Sequence, residues 1–142
     1  MSPRDDALPA QQSFWNGWNS ANREVAVADV SDDQSAVVVR WLGALGRNDL
    51  NLIDIGCGTG WLSARLRPYG DVVGTDLADE VVSRASARYP DIRFHAGDFM
   101  MLDFAPGSFD VAVSCEVLSH VADQPEFLAR IAQLLKPGGR FM

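Results

Sequence analysis

Short apolar runs alternate with longer amphipathic stretches along most of the chain. The runs "NLIDI" (51–55), "DVVGTD" (71–76), "IRFHAGD" (92–98) and "FDVAVSC" (109–115) each read as a strand. The first is short and continuous, as expected of a strand buried in a parallel sheet. Between them, "TGWLSARLRPYG" (59–70) reads as a helix stopped by Pro68 and Gly70, and "ADEVVSRASARY" (78–89) as a second crossover helix. In "DQPEFLARIAQLLKPGG" (123–139), Asp123 caps a helix, Glu126 completes a capping box, and Pro137-Gly138 ends it. The closing "RFM" starts a fifth strand. Upstream, "SDDQSAVVVRWLGALG" (31–46) predicts a helix capped by Ser31 or an adjacent Asp and ended by Gly46. Residues 1–12 read as a loose lead-in. In "SFWNGWNSANRE" (13–24), Phe14 and Trp18 stand four apart and share a face if the segment is helical.

Strands and helices alternating at this spacing predict βαβ units and a parallel sheet with right-handed crossovers. Ligands of such sheets bind at the carboxyl ends of the strands. Chemistry is therefore sought at Asp54 to Gly60, Asp76, Gly97 to Phe99, and Ser114 to His120.

The stretch "LIDIGCGTGWL" (52–62) carries three glycines in five positions. Glycine inside an element costs about 0.5–1 kcal/mol relative to alanine, so the cluster needs a reason. Gly56 permits a tight turn, Gly58 lets backbone approach a ligand, and Gly60 opens a helix whose free N–H groups favour an anionic group. The spacing is G-x-G-x-G, and Trp61 stands where a dinucleotide-binding turn would need its third glycine. Asp54 ends the strand and aims a carboxylate at the same pocket. It would repel a diphosphate and tolerate a ligand with an ammonium group. S-adenosylmethionine, an amino acid tail on a nucleoside with no phosphate, is such a ligand. Asp76 can accept both hydroxyls of a ribose, or serve only as a helix N-cap. Asp98 can accept from an adenine amino group, or serve only as a turn residue. Phe99 offers a backbone N–H and a ring face. Cys57 reads as a small buried filler rather than a reactive thiol.

A length of 142 residues suits one domain, and 47% hydrophobic with 22% charged residues is globular. The formal charge of -7 and scattered basic residues argue against a nucleic-acid partner. Cys57 and Cys115 are not expected to form a structural disulfide, which suits a reducing compartment. The N-terminus lacks an apolar signal-peptide core, and no stretch reaches the ~18 apolar residues of a membrane span. The expectation is a soluble, cytoplasmic protein without a membrane partner. Phe14, Trp15 and Trp18 belong either to a helix packed on the core or to a lid over the ligand. His120 is either a helix-face histidine touching the ligand region or a general base. His95 reads as a strand surface residue.

The motifs "LIDIGCGTG", "VVGTDLADE", "AGDF", "FDVAVSCEVLSHV" and "LLKPGGRF" stand in an order and spacing that resemble class I S-adenosylmethionine-dependent methyltransferases. The small-molecule type is meant, which includes the ubiquinone and menaquinone biosynthesis enzymes. The resemblance spans residues 50–142. It implies an α/β, Rossmann-like, three-layered fold with a parallel sheet, and methyl transfer from S-adenosylmethionine to a small-molecule acceptor at oxygen or carbon. It places Asp54, Gly56, Cys57, Gly58 and Gly60 around the methionyl part, Asp76 and Leu77 at the ribose, and Asp98 and Phe99 at the adenine. Ser114 and Cys115 would line the methionyl side, and Trp15 and Trp18 would belong to an N-terminal lid (residues 1–30) over a cofactor-binding domain (31–142). Some relatives hold a metal through E-x-x-E-H; here "EVLSH" has Ser119 at the second carboxylate, so no metal is expected. The Asn/Asp-Pro-Pro-Tyr/Phe run of amino-methyltransferases is replaced by "SCEV". The family sheet has seven strands, so the chain is expected to lack C-terminal strands and to be a fragment. The alternatives are a non-catalytic cofactor-binding module and a nucleotide-dependent oxidoreductase.

Overall fold

Five parallel strands form one sheet in the order β3-β2-β1-β4-β5. The strands are β1 (Leu50–Ile55), β2 (Gly70–Asp76), β3 (Arg93–Ala96), β4 (Phe109–Val113) and β5 (Leu135–Phe141). The helices are α1 (Pro3–Asn22), α2 (Asp29–Ala44), α3 (Trp61–Leu66), α4 (Asp79–Arg88) and α5 (Gln124–Leu134). This computed structural model describes residues 3–22 and 29–142, with side chains from 7–22 and 32–142. Arg23 and Glu24, and capping by the Ser31 side chain, lie outside what is described; α2 itself begins at Asp29.

The alternation of β1 sets the layers. Leu50 and Leu52 point to one face, where Val38 and Leu42 of α2 and Leu62 and Leu66 of α3 cover them. Ile53 and Ile55 point to the other, packed with Phe127, Ile131 and Leu134 of α5. Asp54 shares the face of Leu52 and so lies under α3. Full burial of each such aliphatic chain contributes about 1.5–3 kcal/mol, which holds helices to both faces of the sheet. The chain runs outward from β1 through β2 to β3, then returns to β4 on the other side of β1. That reversal opens a crevice at the carboxyl ends of β1 and β4.

Three local expectations are corrected. The lead-in is not loose from Pro3 on, where α1 begins and runs through Pro9; residues 1 and 2 lie outside what is described. Contacts with the rest of the fold stabilise it, since Gln12 Nε2 donates to Leu77 O at 3.1 Å and Asn16 Nδ2 to Asp79 Oδ1 at 2.9 Å. α5 does not continue to Pro137-Gly138; it ends at Leu134, and β5 starts at once. The N–H groups of Gly107 and Ser108 cap its end by donating to Gln133 O and Leu134 O, both at 2.9 Å. Pro137 and Gly138 instead lie in a bulge between the pairs Phe109↔Leu135 and Val111↔Arg140, where a missing N–H is tolerated. The fifth strand is thus a paired element from Leu135, not only the final "RFM".

Candidate functional site

A cavity of about 930 Å³ occupies the crevice, walled by the carboxyl ends of β1 to β4 and by α1. Its floor is the turn after β1. The N–H groups of Gly56 and Cys57 both donate to Thr75 O, at 2.8 and 2.9 Å, so the turn is stitched to β2. Gly56, Gly58 and Gly60 all have positive φ. Gly58 lines the cavity, and a Cβ there would lie 3.2 Å from Asn19 Oδ1 of α1. Gly60 is not brought to the cavity. A Cβ at Gly60 would lie 2.8 Å from Phe94 Cζ and 3.3 Å from Ala85 Cβ, so this glycine serves close packing of α3 on β3 and α4. Trp61 next to it lines the cavity instead.

Three aspartates stand at successive strand ends. Asp54 is 2% exposed, and its Oδ2 accepts from Ser63 Oγ at 2.7 Å. Burial pushes its carboxyl up to about 7; the Ser63 hydroxyl opposes this and the charge of Asp76 adds to it. Asp76 joins the turn to α4: Oδ2 accepts from Gly58 N at 2.8 Å and Oδ1 from Ala78 N at 2.9 Å. The residue flanking α4 is Ala78, so Asp76 makes a turn bond rather than an N-cap. Burial raises its carboxyl against those bonds. Asp98 Oδ1 accepts from Met100 N at 3.0 Å, while its buried Oδ2 has no partner. An orphaned buried acceptor costs about 1–3 kcal/mol, which a donor on a bound ligand would recover.

Leu77, Phe99 and Cys115 also line the cavity, and the Phe99 ring stands edge-on to Phe127 at 5.4 Å. Ser114 does not reach it: its Oγ donates to Ile55 O at 3.2 Å and its N–H to Met142 O at 3.0 Å. Both cysteines are free. Burial holds the Cys57 thiol well above its usual range and pushes that of Cys115 up to about 11, so neither is a ready nucleophile.

α1 roofs the cavity. Trp15 meets Trp18 at 5.7 Å, Phe14 at 4.9 Å and the exposed ring of His120 at 4.9 Å. Trp15, Trp18 and His120 all line the cavity. His95 is exposed on β3, against Phe104. Polar lining residues that the sequence did not single out include Asn19, Gln34 and Thr75, while Glu116 falls in the stretch 114–120 where chemistry was expected. Thr75 Oγ1 is buried without a partner. Its place one residue before Asp76 was the only sequence signal for it. Among the described residues, no group of three or more His, Cys, Asp or Glu is placed to hold a metal ion. No described helix is long and apolar enough to cross a membrane.

The arrangement can hold a ligand with several hydrogen-bond donors along one wall. The unpartnered Asp98 Oδ2 fits an amino-bearing base, and Gly58, which lines the cavity without a side chain, leaves room for a ligand to approach the turn. Residues 53–142 match the family described as methyltransferase domain. The chain is 41% identical over 96 residues to a ubiquinone biosynthesis O-methyltransferase of Caulobacter vibrioides, covering 63% of this chain and 38% of that one. It is 33% identical over 134 residues to the O-methyltransferase cnsE of Penicillium expansum, covering 88% of this chain and 48% of that one. It therefore spans less than half the length of either relative. The solved structure of CalS10, an amino pentose methyltransferase from Micromonospora echinaspora with S-adenosylmethionine bound, superposes with a TM-score of 0.67 at 28% identity. That match covers 87% of this chain and 53% of CalS10. The chain belongs to the S-adenosylmethionine-dependent methyltransferase family.

Proposed function

We propose that this chain binds S-adenosylmethionine in the cavity and presents its methyl group to a small-molecule acceptor, at oxygen or carbon. The observation that carries this is the order of the aspartates. Asp54 is the last but one residue of β1, Asp76 ends β2 and Asp98 comes two residues after β3, and these three strands are neighbours in the sheet. Strands lie about 4.8 Å apart, so the three carboxylates step across about 10 Å. An ammonium, a ribose diol and an adenine amino group present donors in that order along one extended molecule. A dinucleotide would instead bring its diphosphate against Asp54.

When bound, the sulfonium supplies an electrophilic methyl group, whose transfer breaks a carbon–sulfur bond, forms the bond to the acceptor and returns the electron pair to sulfur. The residues of the chain do the rest. Asp54 and the Gly58 backbone hold the amino acid end. Asp76 and Leu77 hold the ribose, and Asp98 and Phe99 the base. Trp15 and Trp18 exclude water from above, and α1 acts as the lid. Positioning of this kind can supply several kcal/mol of the barrier. His120 at the rim takes the proton of a hydroxyl acceptor. The O-methyltransferase relatives support this choice of acceptor atom. Two free thiols support a reducing, cytoplasmic setting.

Calorimetric titration with S-adenosylhomocysteine, beside NAD, tests the reading. The folded chain is expected to bind the former and not the latter. Asp98→Asn puts an amide donor where the orphaned acceptor stands, so it should retain the fold and weaken binding about 10-fold or more. A folded chain that binds NAD, or neither molecule, overturns the proposal.

A further inference from the structure

Glu116 has a backbone unlike that of any other described residue: at φ 61 it is the one non-glycine with a positive φ. Side chains rarely adopt this region, and such residues persist where the surroundings hold them in place. The Glu116 carboxylate accepts from Gln34 Nε2 of α2, 82 residues away in sequence. Both side chains line the cavity, and Glu116 is exposed at its mouth, just past β4. The inner aspartates are taken up by the cofactor reading, on which this inference rests. That reading does not use Glu116, which lies exposed at the cavity mouth. Among the described residues that line the cavity there is no Lys and no Arg.

We propose that Glu116 determines acceptor specificity: its carboxylate, set at the cavity mouth by Gln34, rejects acceptors that carry a negative charge. A glycine would adopt this φ without strain, so a glutamate here points to use of its charge. A second negative charge about 5 Å from this exposed carboxylate, at an effective dielectric of about 50, is disfavoured about tenfold. No Lys or Arg side chain among the described lining residues offsets it, and S-adenosylhomocysteine, unlike S-adenosylmethionine, carries no sulfonium charge to do so. The ring of Trp15, which lines the cavity, meanwhile gives a neutral ring an apolar surface to lie against.

The test compares 2-naphthol with its carboxylated analogue, 3-hydroxy-2-naphthoate, by equilibrium dialysis against the full chain with S-adenosylhomocysteine present. Naphthol should bind at least about tenfold more tightly. Part of that gap is simple hydrophobicity, so the decisive reading is how it changes. Glu116→Gln should tighten the carboxylated ring about tenfold and shift naphthol less than about twofold. Glu116→Gly removes the charge and the strain together and should do the same in a more stable protein. Equal affinities, a gap that neither substitution narrows, or no binding of either ring overturns the proposal. S-adenosylhomocysteine binding, measured first and alone, separates these results from failure of the cofactor reading itself.

Discussion

Asp76 accepts the backbone N–H of Gly58 at 2.8 Å, across 18 residues of sequence. One carboxylate thus shapes the turn after β1 and the start of α4 together, since its other oxygen takes Ala78 N–H at 2.9 Å. The residue assigned to the ribose also builds the site.

Asp76→Ala should therefore act on fold and ligand together. Two backbone donors lose their acceptor, at about 1–3 kcal/mol for each that stays dry, offset by release of a buried carboxylate. We expect the melting temperature to fall by several degrees, and S-adenosylhomocysteine affinity to fall about 10- to 100-fold. Melting curves and calorimetry on the same preparation check both. Loss of affinity with an unchanged melting temperature would contradict the structural half.

Asp54 makes stability depend on pH. Its carboxyl sits at about 7 in the fold against 3.8 in the open chain, so the folded state prefers the protonated form. Its contribution is full below about pH 4 and is lost as pH rises through about 7. Across that window the loss reaches about 4 kcal/mol at most, from 1.36 kcal/mol per pH unit. Asp54→Asn keeps an acceptor for Ser63 and removes the titration. The variant should gain on the parent steadily from pH 4 to pH 7, read as the difference in melting temperature. A constant difference would mean that Asp54 stays ionised.

Phe94 is seated on two glycines. A Cβ at Gly60 would meet its Cζ at 2.8 Å, and a Cβ at Gly74 its Cδ1 at 2.5 Å. Gly74→Ala and Gly60→Ala should each cost about 1–3 kcal/mol by overpacking. Phe94→Leu makes room. It should rescue most of the Gly74→Ala loss but only part of the Gly60→Ala loss, because Gly60 also needs φ +80. Chemical denaturation of the double variants gives the coupling energies.

α1 is clasped to the α4 side by residues four apart. Gln12 reaches Leu77 O, Asn16 reaches Asp79, and Ser20 Oγ accepts from Arg84 at 2.8 Å. The last two bonds are exposed and contribute about 0.5–1 kcal/mol each. Replacing all three side chains by alanine should leave the midpoint of global unfolding within a few degrees. It should also speed proteolysis within α1 and raise the S-adenosylhomocysteine off-rate severalfold. Unchanged proteolysis and off-rate would show that the aromatic contacts alone hold the roof.

How far the sequence reached is clearest in particular residues. Asp54, Asp76 and Asp98 could be picked out because each stands at or near the end of a strand-like run, and a parallel sheet brings strand ends to one edge. The parallel sheet was legible for the same reason: runs such as "NLIDI" and the stop signals around Pro68 and Gly70 are local. Other features depended on partners remote in sequence. The end of α5 falls three residues before the strong local stop Pro137-Gly138, because pairing of Leu135 with Phe109 draws the chain into β5. Gly60 looks like a ligand-facing glycine until Phe94 fills the space beside it, and Ser114 looks like a wall residue until its hydroxyl turns to Ile55 O. The left-handed Glu116 and its bond to Gln34 left no trace in sequence spacing. Apolar periodicity and turn chemistry, which the sequence carries by itself, determined the strands, the glycine turn and the acidic strand ends. Tertiary structure decided which side chains share the cavity, because long-range pairing and packing outweigh local preferences of about 1 kcal/mol per residue.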